Sequence, residues 1–422
     1  SCDRECFNLF SFISDSRESW ATNSPWQTKP VPDLFRHYYN LNLSSQSTIL
    51  GDERLEDCLE QLCNSKRPPE LIIFFDSCLS KLVGEDLLGP IERFRRTSKI
   101  PLVFYDIRLS QFPYLKQLRD FWKDVYQQSI PAVATTIPKS ICCLGLHPLV
   151  VGECKKILKL LGITNLGTLF PNLSLANIQA LASCDTVIAN SWEYVRVMFS
   201  SLFENLDKPV ERLALPYGIK GTNNWFDSVC RSVLGAKSPA IDSISEIQAL
   251  TDEFMTIQRQ LAGHRIGIFA RRRGIRQHLS DRLRFGVPLV PLFRELGLAI
   301  DLNLFVSEDE DNDHRQIEDE LKLDSARGDS LNFYHDFRQL PELLRAGDFQ
   351  LVYTETFRDD RITSSGKTPL TLNFLVPGYR GAVQTARNLK SLIESSFHFR
   401  YAAYFKEPFA HFNLAGGEDL ND

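Results

Sequence analysis

The chain has 422 residues, of which 43% are hydrophobic and 24% charged, a composition typical of a globular protein with more than one domain. Its net charge of -5 and its pI near 6.0 disfavour a nucleic-acid-binding function. No apolar run is long enough to cross a membrane, and the opening residues do not have the pattern of a signal peptide. The first residue is not methionine, which leaves trimming of the N-terminus open.

The ten cysteines are too sparse for a disulfide scaffold. Several of them, such as Cys142 and Cys143, lie inside apolar stretches and are predicted to be small core residues. We therefore expect a protein of the reducing cytoplasm.

Short apolar segments alternate with amphipathic segments along most of the chain. The helical spacing of apolar residues is clearest in 150–163, VVGECKKILKLLGI, and a second helical stretch covers 192–206. Strands, some with the turn that follows, are predicted at 71–75, 101–108, 140–148, 185–191, 211–222, 265–270, 298–306, 331–336 and 349–355. This alternation predicts right-handed crossover connections and mostly parallel sheets.

The predicted fold class is therefore α/β, with three Rossmann-like domains whose mostly parallel sheets are flanked by helices. The first domain is predicted to comprise residues 1–137 together with a returning C-terminal segment, 375–422. Residues 138–237 form the second predicted domain, and residues 238–374 form the third.

Cys78 occupies a position that carries chemistry in many parallel α/β proteins. It follows the strand-like run LIIFF at 71–75 and precedes a helix-like stretch, so it lies at the carboxyl end of a predicted strand. A thiol at this turn can be a metal ligand, a nucleophile or a packing residue, and its position alone does not decide among the three.

Four phrases together resemble nitrogenase component 1. FDSCLSKLVGED at 75–86 resembles the segment of that family that carries a cluster cysteine, and ERLALPYGIKGT at 211–222 is similar to its Pro-x-Gly-x-x-x-Thr motif. GHRIGIFARRRG at 263–274 resembles the start of the last domain of the family, and VPGYRGAVQTARNL at 376–389 resembles its Gly-Tyr-x-Gly-Ala helix. The phrases occur in the family's order, and their closest resemblance is to the β-type subunit. The wider group includes dark-operative protochlorophyllide reductase, methylthio-alkane reductase and a cofactor scaffold.

The resemblance implies an oxidoreductase subunit that is inactive alone. It implies an α-like homologous partner in a heterotetramer of two α and two β chains, and a separate reductase protein that hydrolyses ATP. It also implies an iron–sulfur cluster at the subunit interface, with the substrate or metallocofactor held mainly by the partner. ATP would not bind to this chain, and no nucleic-acid or membrane partner is expected. The resemblance names no catalytic residue in this chain.

By the same resemblance, Cys78 is the candidate cluster ligand, and a thiolate at a strand end suits an iron–sulfur cluster. The second ligand cysteine of the family has no counterpart near Trp20. Cys2, Cys6 and Asp15 are therefore the candidate substitutes, and a four-iron cluster is expected rather than an eight-iron P-cluster. Asn190 stands near the position of the α-type cofactor cysteine.

Other functions have weaker sequence support. The leading alternative is a non-catalytic scaffold that assembles a complex iron–sulfur cofactor, and a second is a glycosyltransferase-like protein, for which no sugar-nucleotide site is evident. SSGKTP at 364–369 lacks the first glycine of a phosphate-binding loop, and no G-x-G-x-x-G follows a strand. The arginines of ARRRGIRQH at 270–278 can bind an anion, and His147 and His335 can donate a proton, but solvated or structural roles are the simpler expectation for each.

Overall fold

The computed structural model describes residues 51–76, 87–106, 114–130, 135–169, 174–236, 244–272, 286–306, 323, 326, 328–354, 360–395 and 397–402. These residues fold into three parallel sheets flanked by helices, which confirms the predicted fold class. Two compact units are distinguished, one of residues 1–215 and 225–239, the other of residues 216–224 and 240–422. The three domain boundaries stay a prediction.

The first sheet has two strands, β1 (Ile72–Asp76) and β2 (Leu102–Asp106), paired in parallel from Ile72 opposite Leu102 to Asp76 opposite Asp106. Its helices are α1 (Gly51–Cys63), α2 (Leu88–Thr97) and α3 (Tyr114–Ser129). Ile72 and Phe74 pack with α1 and α2 on one face, whereas Ile73 packs on the other. Both faces are covered, which explains why the strand is an unbroken apolar run.

The second sheet has four strands in the order β4-β3-β5-β6. They are β3 (Ser140–Leu144), β4 (Thr164–Leu169), β5 (Thr186–Asn190) and β6 (Val210–Leu213). Its helices are α4 (Pro148–Leu160), α5 (Leu175–Ser183), α6 (Glu193–Met198), α7 (Ser200–Glu204) and α8 (Gly218–Leu234). Phe121 and Val125 of α3 share one core with Val187 and Phe199, so α3 joins the first and second sheets.

The third sheet has five strands in the order β11-β10-β7-β8-β9. The strands are β7 (Arg265–Arg271), β8 (Ala299–Phe305), β9 (Ser330–Tyr334), β10 (Leu351–Tyr353) and β11 (Thr368–Leu370). The helices are α9 (Ser245–Leu261), α10 (Leu289–Glu295), α11 (Leu340–Ala346), α12 (Asp360–Ser364), α13 (Tyr379–Ser395) and α14 (Phe397–Tyr401). Single 3-10 turns cover Phe337–Gln339 and Leu372–Phe374.

Helix α13 packs along α9, and ion pairs join Arg380 to Glu246 and Arg387 to Glu253. The two pairs are seven residues apart on each helix, so both lie on the same side of the contact between the helices. Among the described residues no helix is both long and apolar enough to span a membrane.

Three sequence predictions differ from the structure in detail. Residues 211–222 were predicted as a strand with a glycine-rich exit, but the strand ends at Leu213 and helix α8 begins at Gly218. Strands β4 and β11 were not predicted, because TNLGTL contains an asparagine and a glycine, which are rare in strands, and TPL is only three residues long. The stretch 192–206 forms two short helices, α6 and α7.

Candidate functional site

The first sheet places the chain directly before the predicted cluster cysteine. Strand β1 ends at Asp76, two positions before Cys78, and its carboxyl end is level with that of β2 at Asp106. Cys78 itself, with Cys2, Cys6 and Asp15, lies outside the described residues. The roles of these four residues therefore stay predictions.

The seven described cysteines are free thiols, and the fully buried ones do not fit an iron–sulfur cluster. Burial raises the pKa of Cys142, Cys143 and Cys154 well above the usual range, which disfavours the thiolate that iron requires. Cys58 and Cys63 lie half-buried on α1, and burial also raises the pKa of Cys58. No group of three or more His, Cys, Asp or Glu side chains is placed to hold a metal ion within the described part of the chain.

The crevice where the second sheet reverses its strand order is closed by Asn190. Its amide Nδ2 donates to Gly145 O at 3.3 Å, and its Oδ1 accepts from Trp192 N at 2.9 Å. Gly145 has φ +80°, and a Cβ there would lie 2.9 Å from Asn190 Cβ. The free volume of about 10 Å³ holds one water molecule at most. Asn190, which the resemblance places near a cofactor cysteine, thus closes a turn in this structure.

His147 caps a helix. Its Nδ1 accepts a hydrogen bond from Leu149 N at 3.2 Å at the start of α4, where Pro148 is the first helical residue. The side chain is buried, and burial lowers the pKa of His147 to about 4, so the imidazole is neutral near pH 7. This arrangement favours a structural role for His147 over proton donation.

Two of the sequence phrases that carry the resemblance meet in space. Gly378 N donates to Pro216 O at 2.6 Å, and the Tyr379 hydroxyl bonds to Asn223 Oδ1. Thr222 Oγ1 donates to Gly218 O at 2.5 Å and to Pro216 O at 3.2 Å. The starts of α8 and α13 are thereby tied together within one compact unit.

The local backbone explains why both positions of PGYRGA are glycine. Gly378 has φ +88°, a conformation that favours glycine, and a Cβ at Gly381 would lie 2.5 Å from Val376 O. The phrase opens helix α13 at Tyr379, as predicted.

The N-terminus of α8 is occupied by a carboxylate of the same compact unit. Glu295 Oε1 accepts from Lys220 N at 2.7 Å. Burial raises the pKa of Glu295, while the hydrogen bond from Lys220 N and the Lys220 charge oppose that rise. Gly218 has φ +72°, and a Cβ there would lie 2.2 Å from Glu295 Oε2. The glycine of the Pro-x-Gly-x-x-x-Thr phrase therefore makes room for this carboxylate.

The arginine-rich phrase begins at the carboxyl edge of the third sheet. Arg271 is the last residue of β7 and Arg272 follows it, whereas Arg273 and Arg276 lie outside the described residues. The exposed His335 follows β9 and lies near Val306, with its Nδ1 donating to Val306 O at 3.1 Å. SSGKTP runs from α12 into β11, the reverse of the strand-to-helix order of a phosphate-binding loop.

The comparisons with known proteins agree with this layout. The family model of nitrogenase component 1 type oxidoreductases matches residues 27–394. The chain belongs to the nitrogenase component 1 type oxidoreductase family. The structure of nitrogenase Cp1 at pH 6.5 is similar over 84% of this chain and 82% of that one, with a TM-score of 0.57 and 13% identity. Nitrogenase Cp1 at pH 5 gives the same TM-score and identity over 85% and 77%. No curated protein matches this chain by sequence.

Membership places the chain among oxidoreductases, and the family as a whole binds iron–sulfur clusters and works as a complex of homologous subunits with a reductase. At 13% identity the two structures support the fold alone. The β-type role, the kind of cluster and its ligands belong to the proposal that follows.

Proposed function

We propose that this chain is the β-type subunit of a nitrogenase-like, ATP-dependent reductase. It contributes cysteine to an iron–sulfur cluster at its interface with an α-like homologous subunit, and it is inactive alone. The assembly is a cytoplasmic heterotetramer of two α and two β chains. A separate iron–sulfur reductase protein hydrolyses ATP and delivers the electrons, and the α-like subunit holds most of the substrate site.

The family match over residues 27–394 carries this proposal, because it includes Cys78 and both phrases that meet at the starts of α8 and α13. Cys78 is the proposed principal ligand, held two residues beyond a strand that is buried on both faces. Cys2, Cys6 and Asp15 are the proposed additional ligands. When bound, the cluster accepts and passes on single electrons.

The buried thiols among the described residues are poor candidates for iron ligands, which supports the proposed ligand set. Thiolates bind iron, whereas Cys142, Cys143 and Cys154 are buried thiols whose raised pKa keeps them protonated. Because the family's second ligand cysteine has no counterpart near Trp20, a four-iron cluster shared with the partner is the proposed form, rather than an eight-iron P-cluster.

The test is anaerobic co-purification of the two subunits, followed by iron counting and paramagnetic resonance. We expect about four iron atoms per shared cluster, and a large loss of iron and of the cluster signal in a Cys78→Ala complex. Cys63→Ala is the matched control, since Cys63 is a half-buried thiol on α1, and it is expected to retain the iron. Unchanged iron in the Cys78→Ala complex would remove Cys78 from the ligand set.

The same preparation separates a reductase from a cofactor scaffold. A reductase keeps its iron through repeated cycles of ATP hydrolysis by the reductase protein. Net transfer of the metal to an apo acceptor protein would instead identify the scaffold function and contradict the proposed reductase.

A further inference from the structure

The strand order of the third sheet also reverses at one point. The residues around that point differ in charge from those at the corresponding crevice of the second sheet. From the central strand β7 the chain proceeds to β8 and β9 on one side, and later to β10 and β11 on the other. In open parallel sheets, ligands bind beyond the carboxyl ends of the strands at such a reversal. Here that edge carries cations, because Arg271 ends β7 and Arg361 lies on α12, the helix after β10.

The last residues of three strands form one row across this edge. Arg271 is level with Phe305 of β8, and Phe305 is level with Tyr334 of β9, so the three side chains project from the same face of the sheet. Phe337 stacks on Phe305 with ring centroids 3.9 Å apart, and the Arg271 guanidinium lies 5.6 Å from the Phe337 centroid. These contacts hold the exposed Arg271 over an aromatic surface.

Tyr334 is the third member of the row. The residue is only 5% exposed, and its ring packs edge-on against Phe305 and Phe337. Burial raises the pKa of Tyr334, and the nearby charges of Arg361 and Arg271 oppose that rise. The phenol is thus a neutral donor that lies near two guanidinium groups.

We propose that Arg271, Arg361 and the Tyr334 hydroxyl bind an oxyanion, the carboxylate or phosphate group of a small ligand, at the carboxyl edge of the third sheet. Guanidinium groups bind such anions through paired, charge-assisted hydrogen bonds, and a phenol adds a third donor. Among the residues that the structure describes, no ion pair joins Arg271 to a carboxylate. The site is independent of the proposed cluster.

Isothermal titration of the full chain with inorganic phosphate and, separately, with benzoate tests this site. We expect at least one of the two anions to bind, with phosphate indicating a phosphorylated ligand and benzoate an aromatic carboxylate. Tyr334→Phe keeps the ring contacts and removes one donor, so its affinity should fall about tenfold, which corresponds to roughly 1.4 kcal/mol. Arg271→Gln should weaken binding at least as much.

Arg338→Gln is the control for nonspecific attraction to positive charge. Arg338 is 91% exposed and pairs with Asp336 at 2.8 Å, so its loss should leave anion affinity unchanged. Absence of binding of both anions to the wild type would overturn the proposal. So would equal affinity of the wild type, Tyr334→Phe and Arg271→Gln chains, and none of these results bears on iron content.

Discussion

His147 shows how one buried side chain connects local structure with pH. As a helix cap it must keep Nδ1 unprotonated to accept from Leu149 N, and burial lowers its pKa to about 4. In the unfolded chain the same group has a pKa of about 6.5. Between these two values the unfolded state binds more protons than the folded state, so stability falls as the pH decreases from about 6.5 towards 4.

A His147→Asn variant should keep the helix cap while removing the titratable group. Asparagine is a good capping residue but does not titrate, so the variant should lose the contribution of His147 to the pH dependence. In the wild type that contribution is roughly 2 kcal/mol at pH 5 relative to pH 7.5. Urea unfolding at these two pH values measures it. If the wild type and the variant lost the same free energy of unfolding between pH 7.5 and pH 5, His147 would not be the source of this pH dependence.

Lys208 has a role that the sequence did not indicate. Its Nζ donates to three backbone carbonyls, those of Leu181, Ala182 and Cys184, at 2.8, 2.9 and 2.8 Å. These carbonyls belong to the C-terminal end of α5 and the residue that follows it. A cation at this position satisfies acceptors that the helix itself leaves unpaired.

At the scale of the element, α8 shows why the position of a glycine matters. Gly218 and Gly221 both lie in its first turn, but only Gly218 has a positive φ and faces Glu295. A Cβ at Gly221 would meet no atom within 4 Å. The two glycines of the same phrase therefore have different physical roles.

Gly218→Ala and Gly221→Ala should consequently change stability in opposite directions. The first substitution forces an alanine into a left-handed conformation and against the Glu295 carboxylate, and should cost about 1–2 kcal/mol or more. The second should stabilise the helix by about 0.5–1 kcal/mol, because alanine is the better helix former. Urea unfolding of the full chain measures both, and destabilisation of similar size in both variants would refute the distinction.

Strand β8 combines two faces of opposite character. Ile300, Leu302 and Leu304 are buried on one face, while Asp301 and Asn303 alternate with them and are buried on the other. Asn303 Nδ2 donates to Asp301 Oδ1 at 2.7 Å, and the guanidinium Nη2 of Arg265 lies 3.3 Å from Asp301 Oδ2. The buried carboxylate is thus paired and hydrogen-bonded, which is the condition for placing one inside a sheet.

At the scale of the whole molecule, the described cysteines form two classes. Cys142, Cys143, Cys154, Cys184 and Cys230 are buried, whereas Cys58 and Cys63 are half-buried. Burial raises the pKa of the first four. A thiol of the first class reacts only when the fold opens, because both access and ionisation are suppressed.

Alkylation of the folded chain at neutral pH, followed by mass spectrometry, should therefore modify Cys63 while leaving those five thiols unmodified. In denaturant all seven described thiols should react, which controls for reagent efficiency. Labelling of Cys143 in the native protein at the rate of Cys63 would show that the second sheet opens without global unfolding and would contradict its closely packed core.

Much of the architecture followed from the sequence. Long apolar runs with a turn and an amphipathic helix predicted β1, β3, β7 and β8, and their repetition predicted parallel sheets. Strands β4 and β11 escaped prediction, because short polar or proline-containing segments become strands only through pairing with a distant neighbour. The resemblance carried by motifs such as that around Cys78 also gave the family, which the family model confirmed.

By itself, the sequence determined the α/β class and the family, because strand and helix periodicity and ordered motifs are local properties of the chain. Only the tertiary structure decided what individual polar residues do. His147 became a buried cap, Gly218 made room for Glu295, 77 residues away, and Tyr334 came into one row with Arg271. Such roles depend on neighbours far apart in sequence, and burial by those neighbours sets the charge and hydrogen bonding of each group.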